Sequence, residues 1–185
     1  VLAETGARVV CDEAYQDFGG PSAIPLLRRS SRLVVLRTFS KAMGMAGLRF
    51  GYALAHPEVA REIAKAKLPY NVNAVTLAAV GVALDHAAEF EARTRTISAE
   101  RDRVLPLLGA LPGIQAFPSA GNFILFRSAQ VPARIIFRRL VEEYGILVRD
   151  VSGAPGLAEC LRVSIGTRED MDAVLTALGG ILQAD

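Results

Sequence analysis

A run of branched apolar residues, Leu33-Val34-Val35-Leu36, leads straight into a stretch of small, hydroxyl-bearing and glycine residues that holds one lysine: Thr38-Phe39-Ser40-Lys41-Ala42-Met43-Gly44-Met45-Ala46-Gly47-Leu48-Arg49-Phe50-Gly51-Tyr52. A short apolar run bounded by turn residues reads as a strand buried on both faces, the kind a parallel sheet requires. Open α/β sheets bind ligands beyond the carboxyl ends of their strands, where Thr38, Ser40 and Lys41 fall. The run therefore predicts an α/β fold with Lys41 at the expected position of chemistry. A lysine with an ordinary pKa near ~10.4 is a poor nucleophile at neutral pH. Burial or a neighbouring cation favours the neutral amine, which condenses with carbonyl groups. Arg49 is such a cation, and its guanidinium fork suits a phosphate.

A second apolar run, Val9-Val10-Cys11, delivers Asp12 to the end of another strand, with Tyr15 just beyond it. Plainer roles exist for each residue. Asp12 could cap the following segment. Tyr15 could be a half-buried aromatic, and Lys41 a solvated lysine in a helix's first turn, although a positive charge there opposes the macrodipole. Met43 and Met45 read as packing residues, and Gly44, Gly47 and Gly51 as turn residues.

Ser40-Lys41 followed by Gly47-Leu48-Arg49-Phe50-Gly51-Tyr52 resembles the lysine motif of the fold-type I, pyridoxal-phosphate-dependent aminotransferases. The Asp12-Glu13-Ala14-Tyr15 box upstream matches the same family. The resemblance implies that pyridoxal 5'-phosphate (PLP) is the cofactor. Asp12 would pair with its pyridine nitrogen and Tyr15 would donate to its phenolic oxygen. Ser40, Arg49 and Thr38 would hold its phosphate. Lys41 would be the catalytic residue, first bonded to the cofactor and then moving the proton at the substrate α-carbon.

The carboxyl-terminal third reads as three strands, around Gly121–Phe126, Ile146–Asp150 and Cys160–Thr167, and two of them carry arginines. An arginine among apolar strand residues must point to solvent, pair with a carboxylate or await an anionic ligand, because burying it unpaired is costly. Arg162 matches the family's substrate-carboxylate arginine. Gly121-Asn122-Phe123-Ile124-Leu125-Phe126, Leu147-Val148-Arg149-Asp150 and the segment from Leu161 to Glu169 look like histidinol-phosphate aminotransferases, in which an arginine at the Arg149 position contacts the substrate phosphate. The family also places an asparagine at the Asn122 position near the carboxylate site, although Asn122 could simply support its turn. An Arg149–Asp150 surface pair is the plain alternative for Arg149.

The expected organisation is part of the large PLP-transferase (aspartate aminotransferase-like) domain over 1–86, a connecting helix over 87–110, and a small carboxyl-terminal α/β domain over 111–185. Helices are predicted over Pro57–Lys67, from a cap in Tyr70-Asn71-Val72-Asn73 to about Leu84, over Ala87–Leu108, Pro132–Tyr144 and Arg168–Leu182, with a strand over Leu48–Leu54. The opening residues Val1-Leu2-Ala3-Glu4 read as the helix preceding the Asp12 strand. Leu111-Pro112-Gly113 ends the long helix. On that helix Arg93, Arg95, Arg101 and Arg103 alternate with Glu89, Glu91, Glu100 and Asp102, which predicts a solvated, salt-bridged face.

Such enzymes run to about twice this length. Their amino-terminal half brings a glycine-rich phosphate loop, a ring-stacking aromatic and an Asn-Pro-rich segment, none of which this sequence contains. The chain therefore reads as the carboxyl-terminal half of an aminotransferase, expected to bind cofactor weakly alone. A net charge of +2 without a basic patch argues against a nucleic-acid partner. No apolar run reaches the ~20 residues of a membrane span. Cys11 and Cys160 are isolated thiols and His56 and His86 lie far apart, so no disulfide and no metal site is expected, and the location implied is cytoplasmic.

Three functions follow. The first is transfer of an amino group from histidinol phosphate to 2-oxoglutarate, in a homodimer serving histidine biosynthesis. The second is a PLP-dependent decarboxylase of an amino-acid phosphate, or another class I/II aminotransferase. The third is a noncatalytic module with this fold.

Overall fold

The computed structural model describes residue 4 and residues 6–183. The helix expected over Val1–Glu4 falls mostly on residues outside the described ones, and Glu4 itself lies in a turn. Two units divide the chain, Val1–Thr94 and Arg95–Asp185. The division falls within the long helix expected as a connection over 87–110.

In the first unit, β1 (Val9–Asp12) runs parallel to β2 (Leu33–Thr38), and β3 (Gly51–Ala55) lies antiparallel to β2 on its other side. The crossover between β1 and β2 is made of 3-10 turns at Gln16–Phe18 and Ile24–Arg28. Leu33, Val34 and Val35 are buried as the apolar run predicts, but Leu36 is exposed. The expected strand from Leu48 starts only at Gly51, because Ala46–Leu48 form a 3-10 turn and Arg49 takes a left-handed conformation at φ 52°. A Cβ on Gly51 would lie 2.9 Å from the Arg37 carbonyl, so the close approach of β3 to β2 requires glycine there.

Helices α1 (Pro57–Ala66) and α2 (Ala74–Asp85) follow β3, and α3 (Ala87–Gly109) starts in this unit. Asn73 caps α2, its side-chain oxygen accepting from the Thr76 N–H at 2.8 Å. Asn73→Ala is expected to cost about 1 kcal/mol of stability, seen as a lower urea midpoint with an unchanged slope. α2 is apolar on nearly every face: Val80 and Ala83 are buried, while Val75, Leu77, Val82 and Leu84 are exposed.

The second unit is an antiparallel sheet of order β4-β5-β7-β6, formed by Ile114–Ala116, Phe123–Ser128, Cys160–Ser164 and Arg149–Asp150 respectively. Helices α4 (Ala133–Tyr144) and α5 (Arg168–Gln183) pack with it. Alternation assigns the two sheet faces. Ile124 and Phe126 of β5 lie opposite Val163 and Leu161 of β7, and all four are buried in the core with Ile136, Leu140 and Leu178. The intervening residues, Phe123, Leu125, Arg162 and Ser164, therefore occupy the other face.

Three expectations for this unit are corrected. β4 was not anticipated, since three residues are too few to show a period. β6 is shorter than the expected 146–150. Gly145, at φ 65°, and the Ile146 N–H bonded to the Leu140 carbonyl at 2.8 Å close the end of α4, so sheet pairing starts only at Arg149. Arg101 is not on a solvated face: it is buried, donating from Nη1 to the Gly121 carbonyl at 3.1 Å and from Nε to Asp102. Arg103 does follow the charge pattern, bonded to Glu100 and to Asp172 of α5.

Candidate active site

Parallel pairing of β1 and β2 puts both carboxyl ends at one edge of the first unit's sheet, so Asp12 and Tyr15 come to the same edge as Thr38, Ser40 and Lys41. The lysine turn is anchored from within. Phe39 is buried with Val80 and Ala83, and Met43, Met45 and Phe50 pack around them, which is the packing role read for the methionines. The Phe39 ring meets Phe50 edge to face at 5.1 Å. The Phe39 N–H donates to the Phe50 carbonyl at 3.1 Å, the Met45 N–H to the Phe39 carbonyl at 3.0 Å and the Gly44 N–H to the Lys41 carbonyl at 2.9 Å. Lys41 thus sits in a tight turn and not in a helix.

The Lys41 side chain is exposed within this unit. Its Nζ stands 5.2 Å from the centre of the Tyr15 ring. Asp12 accepts the Ala14 N–H at 3.0 Å on Oδ1, the local turn considered for it from sequence, and its carboxylate is otherwise exposed. Arg49 donates from Nη1 to the Ala46 carbonyl at 2.9 Å and is exposed. The Thr38 hydroxyl donates to the Phe50 carbonyl at 3.2 Å and accepts the Ser40 N–H at 3.0 Å. Both contacts are local, so Thr38 also shapes the turn that carries Lys41.

Sequence reasoning missed the group behind this edge. Glu13, only 6% exposed, accepts from Arg37 Nε at 2.9 Å and Nη2 at 2.8 Å, from the Ser22 hydroxyl at 2.9 Å and from the Ala23 N–H. Arg37 Nη1 reaches Asp17 at 2.9 Å. Burial works to raise the Glu13 pKa, but the Ala23 and Ser22 hydrogen bonds and the Arg37 guanidinium outweigh it and hold the carboxyl below the ordinary glutamate value. The available signal was Arg37 itself, a charged residue ending an apolar strand.

In the second unit, Arg149 and Arg162 lie directly opposite each other in the β6–β7 register. Like charges so paired are unfavourable without an anion between them. The Arg162 guanidinium lies 5.0 Å from the Phe123 ring centre, and its buried Nε has no hydrogen-bond partner. Asp150 directs its carboxylate to Ser152, 2.6 Å from the hydroxyl and 2.8 Å from the N–H, and these two bonds lower its pKa. The Arg149–Asp150 surface pair is therefore not formed. Both arginines line an open groove with Phe137, Leu147 and Ser164. Asn122 lies in the turn before β5, where its carbonyl accepts the Ile165 N–H at 2.9 Å, supporting the turn.

Comparison with known proteins bears on both groups of residues. The family model described as aminotransferase class I and II matches residues 1–178. A histidinol-phosphate aminotransferase of Roseiflexus castenholzii is 45% identical over 170 residues, covering 90% of this chain and 45% of that protein. The crystal structure of the histidinol-phosphate aminotransferase from Clostridium acetobutylicum matches with a TM-score of 0.90 at 27% identity, over 100% of this chain and 57% of that one. The enzyme from Sinorhizobium meliloti, in complex with pyridoxal-5'-phosphate, matches with a TM-score of 0.81 at 30% identity, over 95% and 48% of the two chains. The fold-type I α/β class expected from sequence is thus the fold of the chain. The chain spans about half the length of the curated relatives it matches.

Proposed function

The chain belongs to the aminotransferase class I and II family, and on that premise we propose that the protein carrying it is a PLP-dependent aminotransferase that uses histidinol phosphate and 2-oxoglutarate. The observation that carries the reading is Lys41 Nζ, 5.2 Å from the Tyr15 ring centre, at the sheet edge it shares with Asp12. The donor set there fits a phosphorylated pyridine aldehyde. Ser40 and Arg49 suit its phosphate, the Asp12 carboxylate its ring nitrogen, the Tyr15 phenol its ring oxygen and the Lys41 amine its aldehyde.

Once bound, the cofactor supplies an electron sink for the charge left on the substrate α-carbon. Asp12 would keep the ring nitrogen protonated, which strengthens that sink, and the Tyr15 O–H would donate to the ionised ring oxygen. The Lys41 amine would hold the cofactor aldehyde and, freed by the substrate, would carry the proton between the substrate α-carbon and the former aldehyde carbon.

Arg162 and Arg149 hold the substrate's anionic end, with Asn122 supporting the turn beside them. Histidinol phosphate offers a phosphate and no carboxylate, whereas 2-oxoglutarate offers carboxylates. Two facing guanidinium forks, one with an orphaned Nε, suit either.

The proposal includes a homodimer, whose interface would cover exposed apolar side chains such as Val75 and Val82 of α2. It also includes a reducing, cytoplasmic location, consistent with free thiols at Cys11 and Cys160. Among the described residues, no helix is long and apolar enough to cross a membrane.

The test is Arg149→Ala in the natural protein. Its kcat/KM for histidinol phosphate should fall by about 2 kcal/mol more than that for an unphosphorylated amino donor. Equal losses for both would remove the phosphate from the proposal. Carbon dioxide released by the parent from an amino-acid phosphate, with no amino transfer from histidinol phosphate, would overturn the aminotransferase reading itself.

A further inference from the structure

We propose that Glu13 and Arg37 are positioning residues for the cofactor site, a largely buried ion pair that fixes the turn running from Asp12 to Tyr15 against the strand leading to Ser40 and Lys41. The inference rests on the proposed function and adds to it the device that sets the spacing between the two halves of the site. The last backbone link between those segments is the Glu13 N–H donating to the Leu36 carbonyl at 2.9 Å. Beyond it Tyr15 and Lys41 belong to separate turns, and the ladder that holds Asp12 opposite Leu36 no longer keeps them in register.

Arg37 spans that gap. Its Nε and Nη2 both meet Glu13 Oε2, its Nη1 meets Asp17 Oδ1 at 2.9 Å, and Nη2 also reaches the Ser22 hydroxyl at 3.3 Å. Glu13 is the residue after Asp12, Asp17 is two residues beyond Tyr15, and Arg37 immediately precedes Thr38. A planar guanidinium held on three sides therefore fixes the distance and angle between the Asp12–Tyr15 turn and the lysine turn. A buried ion pair is a poor device for stability, since well-packed apolar residues often replace one without loss. Its rigid geometry, next to residues that must sit accurately around a ring, is the better reason for it here.

Two variants of the natural protein test this. Arg37→Lys keeps the charge but loses the fork, and the double variant Glu13→Leu/Arg37→Met removes both charges while keeping apolar volume. The probe is PLP itself, followed by its visible band on binding, with the pH midpoint of that band and the melting temperature without PLP measured alongside. Both variants should bind PLP about 10-fold more weakly or worse, with a shifted pH midpoint and a melting temperature close to the parent's. The double variant decides the matter if the single one fails to fold. Parent-like affinity and midpoint in the variants, with a parent band that depends on Lys41, would overturn the inference and leave the cofactor reading standing. A parent band indifferent to Lys41→Ala would overturn both.

Discussion

Replacing Lys41 with alanine in the natural protein is expected to lower kcat for amino transfer by about ten-thousand-fold or more, because the anchoring and proton-transfer roles proposed for it would be lost together. The effect should be specific to this position. The chain's other two lysines are Lys65, paired with Glu62 at 2.7 Å on α1, and Lys67 at that helix's end, so neither lies at the carboxyl edge of β1 and β2. Lys65→Ala and Lys67→Ala should leave turnover near that of the parent. Borohydride reduction of the PLP-loaded parent, followed by peptide mass spectrometry, should find the added mass on Lys41. A variant without Lys41 that turns over at the parental rate would show that the chemistry resides elsewhere. Alanine leaves the packed Phe39 side chain and the Gly44–Lys41 and Met45–Phe39 backbone bonds in place, so the turn keeps its anchors in the variant.

Arg162→Ala is expected to cost about 3 kcal/mol in kcat/KM, roughly a hundred-fold, for histidinol phosphate and for the carboxylate partner alike. This breadth separates it from Arg149→Ala, whose effect should be far larger for the phosphorylated substrate than for an unphosphorylated one. Arg162 differs from its neighbour in being partly buried, stacked on Phe123 and left with an orphaned Nε, so its fork is held ready for an anion. Arg162→Lys should recover little, because an ammonium keeps the charge but neither the planar fork nor the stacking. The measurement is a pair of half-reactions followed separately under single-turnover conditions. Loss in only one of them would mean that the two substrates use different anion sites.

Much of this site was legible in the sequence because its elements are local. The Leu33–Val35 run and the Val9–Cys11 run end where hydroxyl, glycine and acidic residues begin, and those composition changes mark the strand ends that carry Lys41 and Asp12. Asn73 could be read as a cap because its partner, Thr76, is three residues away. The alternation Leu161-Arg162-Val163 fixed which residue leaves the core, since two apolar neighbours pointing inward send the one between them outward.

Pairings across long separations were decided only by the tertiary structure. Glu13 and Arg37 are 24 residues apart, and their pairing depends on β1 and β2 meeting in one parallel register. Arg101 finds the Gly121 carbonyl 20 residues away, which turned a position that read as solvated into a buried one. The commitment of the Thr38 hydroxyl to the Phe50 carbonyl depends on how β3 approaches β2. Arg149 faces Arg162 because β6 pairs with β7 in a register that places them opposite, and a slip of one residue would have turned one of them to the other face. Local pattern determined where β1 and β2 deliver Asp12 and Lys41 and which way the side chains of β7 alternate. Register and packing chose the partners those side chains meet, because they are set by contacts between segments that no local window contains.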